Sequence, residues 1–441
     1  MGDGKPIPLF SWTDNMKLKE YQKSLVEKAI NIIHKQRMVY LAMETRTGKT
    51  PVSIMAASYI ANEIGNPSIL FSTKKSAMKS IERTFRELQS DIPELEHISL
   101  QIVSMDSLHK VDWQPNRVLI IDEAHGIGAY PKPSKRAISL AGLSRDCIVI
   151  YLSATPTPES YSQIYHQLWA ARSKSGLIYG YKNFYAWARD YVDVKERRIA
   201  AGRVIKDYSG AKEKMIIPYL DELTVSITQK DAGFRQHHVE EHIYWVPMPL
   251  EIAQHIKTIK KERILTVGDY EITAPTAASV MSKHHQLCSG TVITDSGKAI
   301  VVSDHKLSKI KFLVTMYRKL AIFYKYVAEH DALVSVLGDL VTEDPDEFEE
   351  SDKKVFIGQF LSKREGINLY TADAIVFYNI DFAYVSYVQA KNRIMNMHRD
   401  KKAILIWMFT KGGIEPDIYE MVKGKKNYTE SYYKKKEMIR S

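Results

Sequence analysis

Two short segments near the start of the chain constrain the fold more than any other feature. The first is METRTGKT at residues 43–50, and the second is VLIIDEAH at residues 118–125. The backbone amides of a GKT turn after an apolar strand can cradle the phosphates of a nucleotide. An apolar strand that ends in DEAH, at a separation that one or two βαβ crossovers can fill, makes the pair far more specific than a GKT turn alone. The pair predicts an α/β fold that binds a nucleoside triphosphate.

The chemistry of the two segments assigns roles to four side chains. The Lys49 ammonium can reach the β- and γ-phosphates, and the Thr50 hydroxyl can coordinate Mg²⁺. Asp122 can hold the same Mg²⁺, so that Thr50 and Asp122 are the predicted metal ligands, while Glu123 can polarise the attacking water. ATP and Mg²⁺ are therefore the predicted cofactors. The other predicted phosphate-binding residues are Thr45, Arg46, Thr47 and Gly48.

Composition narrows the class of protein. A chain of 441 residues is too long for one ordinary core, which predicts two domains with a small additional element. Lys and Arg number 62 against 52 Asp and Glu, and the resulting formal charge of +10 favours a polyanionic partner. The two cysteines, Cys147 and Cys288, exclude a disulfide framework and have no metal-binding spacing. No apolar run approaches the roughly 18 residues of a membrane span, so we expect a cytoplasmic protein with no membrane partner.

Two series of apolar runs alternate with helical patterns, which is typical of parallel sheets flanked by helices. The first series lies at 38–43, 67–73, 101–105, 117–125 and 147–155, and the second lies at 320–326, 354–360, 374–380 and 403–409. The second series has no phosphate-binding loop, which suggests two lobes with ATP in the cleft between them. The predicted domains are lobe 1 at 1–175, an accessory region at 176–300, lobe 2 at 301–425 and a basic C-terminal tail at 426–441.

Aromatic and basic residues interleave in the accessory region, where the regular alternation stops. The runs VKERR and RVIKDY flank an AAG turn, which predicts a β-hairpin over residues 194–208. Its arginines Arg197, Arg198 and Arg203 are candidate contacts with the phosphates of a nucleic acid. A solvent-exposed hairpin without a binding role explains the same pattern equally well.

These motifs resemble those of the superfamily 2 helicases and translocases, most closely the Swi/Snf-like branch, from about residue 18 to residue 425. LKEYQ at 18–22 is similar to the adenine-reading segment of that family, which implies that Gln22 binds the adenine edge. SAT at 153–155 is similar to the motif that couples hydrolysis to nucleic-acid binding. The resemblance implies an α/β fold of two tandem RecA-like P-loop lobes, in which helices flank parallel sheets, with a small inserted accessory element.

The resemblance also implies that DNA, whether duplex, forked or four-way, is the partner. Four segments match DNA-contacting parts of the family, at 72–85, 103–108, 126–136 and 362–393. In the last of these, Gly366 is the implied cofactor contact of lobe 2. Each lysine taken alone fits a solvated surface position better than a DNA contact, and only the grouping of motif loops on one face of both lobes favours a track for phosphates. The implied DNA contacts are Thr73, Lys74, Lys75, Lys132, Lys135, Arg136, Lys363 and Arg364.

The phosphate-sensing arginines match the family pattern only in part. The pattern places arginines four and seven residues after a glutamine, and from Gln389 these positions are Arg393 and Asn396. Arg399 follows about one helical turn, or roughly 4.5 Å, beyond Asn396. We therefore predict Arg393 as the main catalytic arginine and Arg399 as its possible partner.

The stretch around the hairpin is similar to a signature of the annealing helicases that remodel forks, and the minimal size resembles the branch-migration helicases of phages. The predicted function is therefore an ATP-dependent DNA helicase or translocase that acts on forked or branched DNA in replication, recombination or repair. One alternative is a duplex translocase that strips or remodels bound protein without separating strands. The other is a non-catalytic, ATP-gated DNA-binding module, which Asn396 suggests. Protein partners, oligomeric state, RNA competence and translocation polarity are not encoded in these motifs.

Overall fold

The structure is a computed structural model, and its main chain divides into two compact units, residues 1–235 and 236–441. The residues that it describes are 18–45, 47–198, 204–233, 239–351, 354–360, 369, 371–383, 387 and 403–424.

The first unit is built on a parallel six-stranded sheet. Its strands have the order β3-β2-β4-β5-β1-β8. The strands are β1 Met38–Met43, β2 Ser68–Thr73, β3 Ser99–Ser104, β4 Val118–Ile121, β5 Ile148–Leu152 and β8 Thr224–Ile227, and a separate antiparallel ribbon pairs β6 Lys195–Arg198 with β7 Val204–Asp207. The helices are α1 Glu20–Gln36, α2 Lys49–Glu63, α3 Met78–Asp91, α4 Lys135–Leu143, α5 Ile164–Ala170, α6 Phe184–Tyr191 and α7 Glu213–Asp221.

Both faces of this sheet are buried, which explains why its inner strands are continuous apolar runs. On β1, Val39, Leu41 and Met43 pack with α1, α2 and α3, while Met38 and Tyr40 pack with α4, α5, α6 and α7 on the opposite face. This alternation follows from the two-residue period of a strand. The sheet thus holds the ends of β1, β4 and β5 rigidly at one edge.

The second unit contains another parallel six-stranded sheet, of order β15-β16-β14-β17-β18-β9. Its strands are β9 Val239–Val246, β14 Leu320–Tyr324, β15 Val341–Thr342, β16 Val355–Gln359, β17 Ala374–Phe377 and β18 Ala403–Thr410. Two small hairpins pair β10 Ile264–Val267 with β11 Tyr270–Thr273, and β12 Thr291–Ile293 with β13 Ala299–Val301. The helices are α8 Leu250–Glu262, α9 Ala277–Cys288, α10 His305–Met316, α11 Val327–Leu337, α12 Pro345–Glu350 and α13 Glu415–Lys423.

These two sheets, each flanked by helices, confirm the predicted fold of tandem RecA-like lobes. The hairpin predicted at 194–208 is present as the β6–β7 ribbon. The predicted accessory region is less separate than expected, because it supplies β8 to the first sheet and β9 to the second. Both are edge strands with partly exposed residues, so neither produces the continuous apolar run that marks an inner strand. Across the described ranges, no helix is long and apolar enough to cross a bilayer.

Candidate nucleotide site and basic surface

The loop that joins β1 to α2 is shaped by Gly48, the residue before the first turn of the helix. Its φ of +90° lies in the left-handed region, which glycine adopts without steric cost. A Cβ at this position would lie 2.0 Å from Gln22 Nε2, so the end of the Gln22 side chain would have to move away from the loop. The turn directs the first amides of α2 toward the loop, and such a helix N-terminus favours an anion.

Lys49, the first residue of α2, points back into this loop. Its Nζ donates hydrogen bonds to the carbonyl oxygens of Met43, at 2.9 Å, and of Glu44, at 3.2 Å. Burial lowers the pKa of Lys49, and the charges of Glu123 and Asp122 oppose that shift. The ammonium is therefore held by neutral carbonyls within reach of two carboxylates, a position from which it can move to phosphate oxygens.

Asp122 and Glu123 follow β4 directly and have different environments. Asp122 accepts a hydrogen bond of 2.8 Å from the Thr73 hydroxyl and one of 3.0 Å from the Glu123 amide. Burial, together with the nearby charge of Glu123, raises the pKa of Asp122 to about 6. A carboxylate that carries unfavourable charge in the free protein is well suited to bind a divalent cation.

Glu123 has a φ of +48°, and His125 contacts its carboxylate. His125 Nδ1 lies 3.2 Å from Glu123 Oε2 and also 3.2 Å from Ser153 Oγ. Burial acts to raise the pKa of Glu123, but the hydrogen bond and charge of His125, with the charges of Lys74 and Lys49, outweigh it and lower that pKa. Glu123 is thus the more acidic member of the pair, and His125 joins it to the SAT motif.

The predicted adenine-reading segment packs against the same loop. Gln22 Oε1 accepts a hydrogen bond of 2.9 Å from the Lys19 amide, and its Nε2 lies 3.4 Å from the Thr47 carbonyl oxygen. Tyr21 donates its hydroxyl to the same Thr47 oxygen at 3.1 Å. The structure therefore brings Gln22 to the phosphate-binding loop, and its contact with adenine stays a prediction.

Sequence motifs did not indicate Gln229, which holds the other side of the loop. The Gln229 amide donates to Glu44 Oε2 at 2.7 Å, and its Nε2 donates to the Thr45 carbonyl oxygen at 3.0 Å. The Glu44 amide donates to the Ile227 oxygen at the end of β8. Only the pairing of β8 with β1 brings these residues together, so no local signal could have identified them.

The basic residues predicted to contact DNA occupy two kinds of position in the first unit. Lys75, Lys132, Lys135 and Arg136 are exposed, and Lys74 is half-buried. Arg136 donates to Asp106 Oδ1 at 2.8 Å, and this hydrogen bond lowers the pKa of Asp106.

A cavity of about 620 Å³ lies beside the Arg136–Asp106 pair, and its lining includes His109, Lys135 and Ile138.

Thr73 differs from the other predicted contacts, because its side chain is 1% exposed and its hydroxyl is bound to Asp122. The structure therefore places Thr73 at the carboxylate site rather than on the basic surface.

Several predicted site residues lie outside the described residues. For Arg197 and Arg198 the structure describes the main chain of β6 but not the side chains. Their roles, like those of the other site residues, remain predictions. The predicted site residues outside the described ranges are Arg46, Arg203, Lys363, Arg364, Gly366, Arg393 and Arg399.

Comparisons with known proteins agree with this geometry. Residues 15–158 match the family described as the res subunit of type III restriction enzymes. The Hef helicase domain of Pyrococcus furiosus is similar over 92% of this chain and 98% of its own, with a TM-score of 0.50 at 12% identity. The family match over residues 15–158 supports the predicted resemblance to superfamily 2 helicases and translocases, and the Hef structure, at 12% identity, shows the fold.

Two further solved structures come from Sulfolobus solfataricus. The SWI2/SNF2 ATPase core in complex with dsDNA is similar over 93% of this chain and 91% of its own, at 16% identity and a TM-score of 0.41. The core domain by itself is similar over 94% and 91%, at 14% identity and a TM-score of 0.40. The sequence has no match among the curated proteins. The more specific likeness to phage branch-migration and annealing helicases stays a prediction.

Proposed function

We propose that this chain hydrolyses ATP to move along DNA and that it acts at forked or branched DNA. The observation that carries this proposal is the convergence of Lys49, Asp122, Glu123 and Ser153 at the ends of three neighbouring strands. His125 connects the last two of these residues through contacts of 3.2 Å. Such a cluster can position phosphates, a cation and a water, which are the requirements of phosphoryl transfer.

The donor atoms in the loop fit a nucleotide with Mg²⁺. The Thr50 hydroxyl and the Asp122 carboxylate are hard oxygen donors of the kind that Mg²⁺ prefers. Thr45 Oγ1 is buried and has no hydrogen-bond partner among the described residues, which suits a phosphate oxygen acceptor. Mg²⁺ would neutralise charge on the phosphates, while Glu123, kept ionised by His125, would orient water and accept its proton.

DNA is the proposed partner because exposed cations cluster beside the family motifs of the first unit. Arg136 and Lys75 act on Asp106, Lys135 lines the same cavity as Asp106, and Lys132 lies in the loop before α4. Contacts from such residues to phosphates position a protein without reading sequence, and they weaken as salt rises. The β6–β7 ribbon, which pairs with no other described strand, is the proposed element at the branch point.

A direct test compares ATP hydrolysis with single-stranded, duplex, forked and four-way DNA. We expect the forked and four-way substrates to stimulate hydrolysis most. Glu123→Gln should retain ATP but turn it over on the order of a hundredfold more slowly, because only the group that orients water is lost. Glu87→Gln, an exposed position on α3, is the matched control. Normal turnover by Glu123→Gln would refute the assignment of the site.

The Swi/Snf-like resemblance keeps one second candidate, a translocase that displaces protein from duplex DNA without separating strands. Parallel assays of strand displacement and of streptavidin displacement distinguish the two functions. Streptavidin displacement without strand displacement would favour the second candidate. The non-catalytic alternative requires that DNA cause no release of phosphate from ATP, and the same hydrolysis assay tests it.

A further inference from the structure

The segment that follows the SAT motif connects the carboxylate site to the base of the β6–β7 ribbon. Ser153 lies at the end of β5, where its hydroxyl contacts His125 and accepts a hydrogen bond of 3.2 Å from the Thr155 amide. The chain then runs through Pro156 to Ser160, the residue that caps the next short helix. Fewer than ten residues therefore separate Ser153 from Ser160 and Ser162.

Ser160 and Ser162 bind the main chain directly after β7. Ser160 Oγ donates to the Ser209 carbonyl oxygen at 2.8 Å, and Ser162 Oγ donates to the Tyr208 oxygen at 2.6 Å. Ser162 is fully buried and Ser160 is 8% exposed. The two donor hydroxyls thus lie on buried residues, whereas Tyr208 is half-buried and Ser209 is exposed, so each bond joins the interior to the surface end of the ribbon.

The segment that carries these serines is braced against the sheet by Gln167 of α5. Gln167 Nε2 donates to the Pro156 oxygen at 2.9 Å, and Gln167 Oε1 accepts from the Tyr40 hydroxyl of β1 at 3.0 Å. The Tyr151 hydroxyl of β5 donates to the main-chain oxygen of Gln167 at 2.7 Å. All three side chains are buried, and the dense packing around them leaves little room for residues 156–162 to adjust independently of β1 and β5.

The base of the ribbon is held on its other side as well. The Asp193 amide donates to the Gly210 oxygen at 2.8 Å, and a Cβ on Gly210 would lie 2.7 Å from the Asp193 oxygen. Tyr208 packs edge-to-face on Phe184 of α6, with ring centroids 5.4 Å apart. Beyond this base, Lys195, Glu196 and Lys206 are exposed. The residues at the base of the ribbon are therefore held by contacts on both sides, and the two serine hydroxyls provide two of these contacts.

We propose that Ser160 and Ser162 are positioning residues that couple the state of the Glu123–His125–Ser153 cluster to the orientation of the β6–β7 ribbon. This inference rests on the proposed role of the ribbon at the branch point. When Glu123 changes its hydrogen bonds during the ATP cycle, His125 and then Ser153 shift with it. The two serine hydroxyls pass that shift to residues 208–209, and the ribbon moves against the DNA.

The test measures the number of base pairs separated per ATP hydrolysed on a forked substrate. Ser162→Ala and Ser160→Ala should retain DNA-stimulated ATP turnover to within about twofold. They should lower the coupling ratio by up to about tenfold, the scale of one lost intramolecular hydrogen bond. Ser160→Thr keeps the hydroxyl and should restore much of the ratio. Ser90→Ala, which removes an exposed hydroxyl bonded to the Glu87 oxygen on α3, is the matched control.

A second arm replaces residues 197–204 with a short Gly/Ser turn and adds Ser162→Ala to that protein. The serine change should have no further effect there, because the element it positions is gone. An unchanged coupling ratio in Ser162→Ala and Ser160→Ala would overturn the inference, and so would a parallel loss of hydrolysis and unwinding. Wild-type unwinding by the turn replacement alone would instead refute the proposed role of the ribbon, so the two failures are distinguishable.

Discussion

Each unit has a junction where a loop leads from a parallel strand to a helix: β1 to α2 is the first junction, and β14 to α11 is the second. The two junctions differ in how the start of the helix is capped. In the first unit, the loop between β1 and α2 contains Gly48 and no acidic side chain caps the helix. In the second unit, Glu329 of α11 accepts hydrogen bonds from the amides of Lys325, at 2.7 Å, and Tyr326, at 3.1 Å. Glu329 is fully buried and also accepts from Asn379 Nδ2 at 2.6 Å.

The difference separates a helix start with no side-chain cap from one whose neighbouring amides have an acidic partner within the protein. A helix N-terminus attracts an anion because its first amides have no partner within the helix. The second unit satisfies amides before α11 with its own carboxylate, whereas no side chain caps α2 in the first unit. In the proposed function, a phosphate of ATP would take the place at the first junction that the Glu329 carboxylate takes at the second.

The largest effect should follow from Lys49→Ala in the first junction. The variant loses the only cation within the loop residues that the structure describes, and we expect DNA-stimulated ATP turnover to fall about a hundredfold to a thousandfold. Unwinding should fall with it. Lys28→Ala, an exposed position on α1, controls for the loss of a lysine, and steady-state phosphate release measures both. Equal turnover in the two variants would contradict the phosphate-binding role of this junction.

A comparison of two glycines with positive φ distinguishes the effect of backbone strain from the effect of the close contact between position 48 and Gln22. Gly48 and Gly65 have φ values of +90° and +69°, but a Cβ on Gly65 would meet nothing within 4 Å. Gly65→Ala should cost about 1 kcal/mol of stability and leave ATP turnover unchanged. Gly48→Ala should also collide with Gln22, and we expect nucleotide affinity to fall at least about tenfold. Denaturant unfolding and a fluorescent nucleotide titration give the two quantities, and equal affinities would exclude a specific role for the Gln22 contact.

Acidification should lower ATP turnover at the first junction, because Asp122, the predicted Mg²⁺ ligand, becomes protonated. Its raised pKa of about 6 means that the carboxylate is ionised above that pH and protonated below it. At subsaturating Mg²⁺, kcat/KM for ATP should therefore fall as pH decreases through about 6, by about tenfold for each further pH unit. Saturating Mg²⁺ should shift this fall in kcat/KM to lower pH, because the cation binds the ionised form of Asp122. If the pH at which kcat/KM falls does not change with Mg²⁺, the fall belongs to a group other than Asp122.

The smallest effect concerns the second junction. Glu329→Ala should destabilise the protein by about 1–3 kcal/mol, because the amides that it caps lose their acceptor. Sulfate should recover part of that loss by binding at the vacated amides. Thermal unfolding of wild type, Glu329→Ala and the exposed control Glu350→Ala, with and without sulfate, measures the recovery. An equal gain in all three proteins would show only the general stabilising effect of sulfate.

The sequence predicted those parts of the site whose residues are adjacent in the chain. GKT and DEAH each combine an apolar strand with the functional side chains at its end, so the local pattern specifies both the element and the chemistry. The two flanking runs of the hairpin predicted at 194–208 pair as β6 and β7, because they are close in the chain, and the turn between them lies outside the described residues. Parts that depend on packing were missed, including Gln229 at the loop and the inward side chain of Thr73.

The sequence by itself determined the two parallel sheets, the glycine turn between β1 and α2, and the carboxylates after β4, since apolar periodicity and motif residues act over a few positions. The tertiary structure alone decided that β8 and β9 complete the sheets, that His125 bridges Glu123 and Ser153, and that Ser162 holds the base of the ribbon. The physical reason is that these contacts join residues far apart in the chain. Their partners are main-chain atoms or buried polar groups, which only the packing of helices against the sheets brings within hydrogen-bond distance.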